Sequence, residues 1–292
     1  MNEYIKASRI AITVALTVLT QSLLMGDNDN TRLTVPVEFW PGIVKDTDSD
    51  GVDHYTKGNA SGSLKFSVDE VAVILIDTWN GPGGIDELTP LRKRQKAFLE
   101  FCRTEGITVI FAPNMPAVEN YPQYHALKKE VEQAVAGYDV RPRNPPPFME
   151  WPTRGNESYN QGVQLRRQAR QDGVDMPREN MDISKHLQPL PDEYVLSSYM
   201  ELRYVMWKEK ITCMLYAGEY LNECVQQRET GINRLAGTDK WRSPVSLVVL
   251  EDLVAFQPTE DVDEILGAKV MLDYFKRKIA FVSRGSNLVV ED

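Results

Sequence analysis

The chain is predicted to fold as a three-layer α/β domain, with a Rossmann-like, mostly parallel sheet of about six strands and an N-terminal hairpin extension. Three observations lead there. From Val71 onward, short apolar runs alternate with longer segments whose apolar residues recur at helical spacing. The runs are continuously apolar, as strands covered on both faces must be. At 292 residues the chain suits one large core, and no repeat or low-complexity tract divides it.

Residues 1–30 stand apart from the domain at 31–292. MNEYIKASR carries Lys6 and Arg9 and precedes IAITVALTVLTQSLLM, the form of a secretory signal or a membrane anchor. The run is about 16 residues and holds Thr13, Thr17, Thr20, Gln21 and Ser22, short for a bilayer span, so a cleavable signal is more natural than a stable anchor. The region before Gly26 lacks a small-x-small cleavage site, and a retained amphipathic N-terminal helix is the other reading. Location follows the choice: secreted, periplasmic or membrane-associated in the first case, cytoplasmic in the second.

After the polar break GDNDN, RLTVPVEFW and GSLKFS have the pattern of short strands around the turn-rich loop KDTDSDGVDHYTKGNASG. Asp46, Asp48, Asp50 and Gly51 faintly resemble a calcium loop, but Gly58 stands where the closing glutamate belongs; a solvated hairpin tip is the expectation. VAVILID is the first buried strand. Thr89 and Pro90 make an N-cap and first-turn pair, and Leu91, Phe98 and Phe101 share a face until Gly106 stops the helix. ITVIFAP, 107 to 113, is the second strand, followed by a helix around 123 to 136. The irregular stretch from Gly137 to Pro191 is rich in Pro, Arg and Asn, and loops of that size shape a site or a subunit contact. EYVLSS and ITCMLYAG are strands separated by the helix YMELRYVMWKEK. VSLVVLED is a fifth strand, 261 to 278 a helix, and IAFVSRG a sixth strand.

With 33 basic against 42 acidic residues and a formal charge of -9, the chain has no broad positive footprint for nucleic acid, which leaves small-molecule chemistry. Three cysteines make no disulfide framework, and neither a CxxC pair nor a Cys/His spacing suggests zinc. His54, His125 and His186 are scattered. No GxGxxG follows VAVILID, and GPGG at 81 to 84 is a poor match for a dinucleotide fingerprint, so no cofactor is expected.

Two strand ends carry the chemistry. Cys224 lies just past ITCMLYAG, where a strand gives way to a helix whose unpaired N–H groups and dipole lower a thiol pKa and favour the thiolate. Asp77 ends VAVILID. A thiol and a carboxylate at the carboxyl ends of two strands of one open sheet lie in the crevice where such folds bind ligands. The plain alternatives are an inert buried cysteine and an aspartate that caps the next helix. Cys102 and Cys213 read as core and Asp252 as structural. Ser197 and Ser198 have no neighbouring histidine to activate them.

VAVILID ending on Asp77, GITVIFAPN, and above all GxxxNxCV from Gly218 to Val225 resemble the isochorismatase-like cysteine hydrolases, a family that includes nicotinamidases and N-carbamoyl amide hydrolases. The likeness covers about residues 70 to 257. DTWN at 77 to 80, APNMPAVENYPQY at 112 to 124, CVQQRETGINRL at 224 to 235 and LVVLEDLVAFQP at 247 to 258 are similar to one branch, in which the nucleophile helix runs CVxxRxxGI. The resemblance implies a metal-independent hydrolase of an amide or carbamoyl-like C–N bond. Asp77 would act as general acid and base and Cys224 as the nucleophile that forms a thioester. Backbone N–H groups around Leu221 and Cys224 would hold the oxyanion, a cis peptide would fall at Glu219 and Tyr220, and Trp79, Asn80, Tyr220 and Arg228 would line the substrate pocket.

One position departs from the family. Its catalytic lysine ends the third strand in a context like ExVVxK, and EYVLSS puts Ser198 there. The cation that tunes Asp77 and Cys224 then comes from elsewhere: Arg228, four residues past Cys224, is the first candidate, with Lys185 and Lys208 behind it. Arg228 is otherwise a substrate anchor or a surface ion pair, and Trp79 a pocket wall or core. The rival reading is an inactive binding or scaffold protein that keeps the fold. The family also implies a homo-oligomer, a dimer or tetramer formed near the long loops.

Overall fold

A computed structural model describes residues 31–80, 89–136, 182–237, 243 and 245–291, with positions 164, 168, 171 and 172 between them. Residues 1–30, GPGG at 81–84 and most of the 137–191 stretch lie outside the described residues.

In Arg32–Phe39 (β1), Leu33, Val35 and Val37 are buried and their neighbours are not, the period-2 pattern of a strand with one covered face. A small hairpin follows, Val44–Thr47 (β2) with Asp53–Thr56 (β3), and Ala60–Ser67 (β4) returns along the whole of β1. The hairpin tip is closed from within: the Asp48 carboxylate accepts the N–H groups of Asp50 and Val52 and meets His54 Nε2 at 2.8 Å. Among the described residues no cluster of His, Cys, Asp or Glu is arranged to hold a metal ion.

Val71–Ile76 (β5) is buried at every position, as its sequence requires of a central strand. Pro90–Glu105 (α1) starts on Thr89, whose hydroxyl accepts the Arg92 N–H at 3.2 Å, and stops at Gly106, where φ is 76°. Then come Thr108–Ala112 (β6), Pro122–Ala134 (α2), Tyr194–Val195 (β7), Tyr199–Lys208 (α3) and Cys213–Gly218 (β8). The remainder is Cys224–Gln227 (α4), Ile232–Ala236 (α5), Ser246–Val254 (β9), Glu264–Tyr274 (α6) with a π-helical turn Phe275–Ile279, Phe281–Ser283 (β10) and Val289–Glu291 (β11). Among the described residues no helix is long and apolar enough to cross a membrane.

The strands form one nine-stranded sheet in the order β11-β1-β10-β9-β8-β5-β6-β7, with β4 on β1. From β10 to β7 every pairing is parallel, so the expected parallel sheet is present. The N-terminal strands join it antiparallel through β10 and β11. Two details differ from expectation. β11 is too short a run to stand out in the sequence, and EYVLSS gives only Tyr194–Val195 as strand because Glu201 draws the N–H groups of Ser197 and Ser198 into a helix cap.

Alternate residues of β5 face two cores. Val71, Val73 and Leu75 pack with Phe98, Leu99 and Cys102 of α1. Ala72, Ile74 and Ile76 share the opposite core with Leu127 and Val131 of α2, Leu202 and Val205 of α3, and Phe275 and Ile279. That is the three-layer arrangement.

β5 and β8 lie side by side, with Ile76 opposite Gly218. Gly218 has φ 127°, and a Cβ there would fall 2.0 Å from the Ile76 carbonyl oxygen. Only glycine admits both the conformation and the contact. Gly218→Ala is expected to destabilise the fold by at least about 3 kcal/mol and lower Tm by roughly 6–12 °C; a scanning-calorimetry shift of less than about 2 °C would show that this close approach is not needed.

Candidate active site

The order of the parallel strands locates the crevice. From β5 the chain steps outward through β6 to β7, and from β8 it steps the other way through β9 to β10. The connections leaving the carboxyl ends of β5 and β8 therefore part, and open α/β sheets bind ligands at that point. Asp77 follows β5 and Cys224 opens the short helix after β8.

Asp77 is 1 % exposed. Its backbone has φ 48° and its N–H donates to Ala112 O at 3.2 Å, which turns the chain sharply off the strand. Its Oδ2 accepts a hydrogen bond from Arg228 Nε at 2.7 Å and lies 2.7 Å from Nη2 of the same guanidinium. Arg228 comes from the same turn as the thiol: α4 begins at Cys224 and ends when the Arg228 N–H bonds to Cys224 O at 3.1 Å. The i, i+4 spacing thus places both the sulfur and its cation beside the carboxylate.

The thiol and carboxyl act on each other. Burial raises the Asp77 pKa, opposed by the Arg228 charge and by the Cys224 thiol as hydrogen-bond donor. Burial, then the Asp77 charge, pushes Cys224 up to about 12, and Arg228 opposes the rise. Asp77 Oδ1 is buried and has no partner at full hydrogen-bond geometry, so the thiol contact is longer or less aligned than a formed bond. This corrects the expected thiolate. α4 has only four residues, too short for a dipole that would outweigh burial, and the resting sulfur keeps its proton.

A second ion pair lies beside the first. Arg92 of α1 places Nη2 2.9 Å from Glu219 Oε1 and 2.7 Å from the Trp79 carbonyl, and its Nη1 donates to Gln95 Oε1 at 2.9 Å. Burial raises the Glu219 pKa, Arg92 lowers it, and the Asp77 charge raises it. Sequence reasoning missed Arg92, Gln95 and Glu219: nothing in PLRKRQ distinguishes a buried arginine from the exposed ones beside it.

The remaining expected residues divide. The peptide between Glu219 and Tyr220 is cis, as the resemblance implied. Tyr220 is half-buried, and its pKa is raised by burial and by Glu219, with smaller contributions that include Cys224. Trp79 is half-buried, and Asn80 donates its N–H to Asp182 O at 3.0 Å while its buried Oδ1 lacks a partner. Asp182 in turn accepts the Tyr121 hydroxyl at 2.5 Å, which ties the 182–184 segment to the site.

Leu221 is a correction. Its N–H donates to Ala255 O at 2.7 Å and is spent holding the turn against the end of β9. Among the described residues, the amides of Tyr220 and Cys224 have no acceptor. Ser198, at the position of the family's catalytic lysine, is a helix cap: its hydroxyl accepts the Glu201 N–H at 3.2 Å in a capping box, and no hydrogen bond links it to Asp77 or Cys224. Lys208 is paired with Glu130 at 2.8 Å. Cys102 and Cys213 are buried, with pKa values pushed up by burial, and Asp252 accepts the Gly285 and Ser286 N–H groups, all as the sequence suggested.

No family model and no curated protein matches the sequence. Among solved structures, a cysteine hydrolase from Pseudomonas syringae pv. phaseolicola is similar over 76 % of this chain and 91 % of its own, at 15 % identity and TM-score 0.44. An isochorismatase family protein from Burkholderia thailandensis covers 75 % and 93 %, at 15 % identity and TM-score 0.41. A nicotinamidase from Bacillus subtilis covers 74 % and 99 %, at 14 % identity and TM-score 0.34. At these values nothing about the site follows from the likeness.

Arg228 neutralises a carboxylate that burial disfavours, so its loss leaves a buried charge without a partner. Arg228→Gln is expected to cost about 3 kcal/mol at pH 7. Because the folded-state pKa of Asp77 is raised, protonating the carboxyl favours the fold, and the deficit shrinks as pH falls through that pKa. Denaturant unfolding across the acid range checks the sign: a deficit that stays constant or grows toward low pH would contradict the pairing.

Proposed function

We propose that the protein is a cysteine-dependent hydrolase of a C–N bond, amide or carbamoyl-like, in a small molecule. The observation that carries this reading is the convergence of the Cys224 thiol, the Asp77 carboxyl and the Arg228 guanidinium at the switch point of the sheet.

The chemistry follows from the protonation states. Cys224 starts as a thiol, and Asp77 is the neighbouring base, its basicity raised by burial. As the sulfur attacks the carbonyl carbon, its proton passes to Asp77 and the carbonyl π electrons move to oxygen. The N–H groups of Tyr220 and Cys224 are among the turn's donors without another acceptor and would hold that oxyanion, one such donor being worth about 3 kcal/mol. Collapse breaks the C–N bond and Asp77 returns the proton to the departing amine, leaving a thioester on Cys224. Water attacks the thioester with Asp77 again as base, releasing the acid and the thiol. Arg228 supplies the positive charge at this site, holding the Asp77 oxygen in place while the carboxyl cycles between its two forms. Its ion pair with Asp77 favours that role over gripping a substrate anion.

Asp77→Asn separates this reading from an inert fold. Removing the carboxylate charge lowers the Cys224 pKa, so alkylation by iodoacetamide at pH 8 is expected to speed up, while amide hydrolysis falls by 10²–10⁴-fold for want of the base. Cys224→Ala abolishes turnover and the acyl adduct seen by intact-protein mass spectrometry. Alkylation of Cys224 no faster than of Cys102 in the wild type, with no adduct from any of a panel of amides, would leave a scaffold protein instead.

A further inference from the structure

We propose that Arg92 is the positioning residue of the oxyanion site: gripping the loop after β5 and the turn after β8 at once, it sets the Tyr220 N–H against the Asp77–Cys224 pair. The inference rests on the hydrolase reading above and adds to it the group that places the donor. Arg92 is buried, and a single nitrogen, Nη2, donates to the Trp79 carbonyl at 2.7 Å and stands 2.9 Å from Glu219 Oε1. Its Nη1 donates to Gln95 Oε1 at 2.9 Å, and the buried Gln95 donates from Nε2 to Leu253 O at 3.0 Å. The guanidinium therefore ties α1 to the carboxyl ends of three adjacent strands, β5, β8 and β9.

Stability alone does not account for a cation at this position. Arg92 lies in the first turn of α1, where its own N–H bonds the Thr89 cap and where the helix dipole disfavours positive charge. Burial disfavours the charge as well, and an ion pair taken out of water is commonly matched in stability by apolar side chains of like volume. What apolar side chains do not reproduce is direction. The planar fork of a guanidinium fixes where a carbonyl and a carboxylate stand relative to each other.

Both partners adjoin reacting groups. Trp79 is two residues past Asp77, and its N–H bonds the Asp77 carbonyl at 2.9 Å. Glu219 immediately precedes Tyr220, and its own N–H is fixed on Ile76 O at 2.9 Å. The later part of the turn is carried by β9 and the chain beyond it: Leu221 N–H bonds Ala255 O at 2.7 Å, and Asn222 exchanges hydrogen bonds of 2.9 and 3.1 Å with the Gln257 backbone. The Tyr220 carbonyl accepts the N–H groups of Glu223 and Val225 at 3.0 and 3.1 Å, which closes the turn around Cys224. Along the chain, the Tyr220 amide thus falls between an anchor on β9 and an anchor on Arg92. A misplacement of about 1 Å at such a donor costs about 100-fold in rate.

Two reactions of one sulfur test this, each rate taken on the full-length chain after subtracting that of Cys224→Ala. With p-nitrophenyl acetate the Sγ–C bond forms, the thiol proton passes to Asp77 and negative charge develops on the carbonyl oxygen; the C–O bond then breaks and p-nitrophenolate leaves. Iodoacetamide alkylates the same sulfur at a saturated carbon, displacing iodide, and forms no oxyanion. Arg92→Lys keeps the charge but not the fork, and is expected to slow acylation about 10–100-fold while alkylation changes by less than about 3-fold. Arg92→Met combined with Glu219→Leu replaces the whole pair by apolar groups. It is expected to stay within about 4 °C of the wild-type Tm and to show the same selective loss, which misfolding cannot produce because it would shift both reactions. Equal losses in the two reactions, or undiminished acylation in either folded variant, overturn the proposal and leave the hydrolase reading standing. A wild-type ratio of acylation to alkylation no higher than that of N-acetylcysteine overturns it too, because there is then no oxyanion site to position. The hydrolase reading fails on a different result, the absence of an adduct from the amides.

Discussion

A carboxylate taken out of water needs a cation, and the ion pair between Asp77 and Arg228 is the constraint on which the site depends. Desolvating a carboxylate costs several kcal/mol even after the protein relaxes. A charge-assisted hydrogen bond from the Arg228 guanidinium to Oδ2, with a second nitrogen of the same group at ion-pair distance, offsets much of that cost. They do not cancel it: the Asp77 pKa remains above its ordinary value, with burial as the largest cause. The result is a carboxyl with raised affinity for a proton, next to a thiol that holds one. The same pair is also a mechanical tie, since it joins the end of β5 to the end of α4 and so fixes where Cys224 sits.

Charge balance extends one shell outward. Glu219 lies close enough to Asp77 for that charge to raise its pKa further, and Arg92 neutralises it from the opposite helical layer. Two carboxylates thus lie near each other at the strand ends, each held by its own guanidinium. Arg92 also bonds the Trp79 carbonyl, and Gln95 bonds the Leu253 carbonyl at 3.0 Å, so α1 holds the loop after β5 and the end of β9 together. Gly218 lets β8 approach β5 closely enough for this to happen.

The local roles of Leu221 and Ser198 have a common cause. Each residue lies where the family pattern places a functional group, and in each the group is consumed by local structure: an amide by the Ala255 carbonyl, a hydroxyl by a capping box. Motif alignment assigns positions along the chain, but hydrogen-bond partners are settled by what the neighbouring strand end and the following turn present. The misjudged thiol pKa belongs here too. A helix start was legible at Cys224, but its length of four residues and the burial of the sulfur were not.

By itself the sequence determined the order and type of the main elements, because continuous apolar runs, helical periodicity and Thr-Pro or Gly punctuation are short-range signals that survive without knowledge of the fold. It also singled out Asp77 and Cys224 as strand-end groups, and Arg228 as a candidate by its spacing from the cysteine. Only the tertiary structure decided that Arg228 grips Asp77, across 151 residues of chain, that Glu219 and Arg92 form a second pair, and that the thiol stays protonated. The physical reason is that ion pairing and desolvation depend on which strand ends are adjacent in the sheet, and strand order is a property of the packed chain that no local pattern encodes.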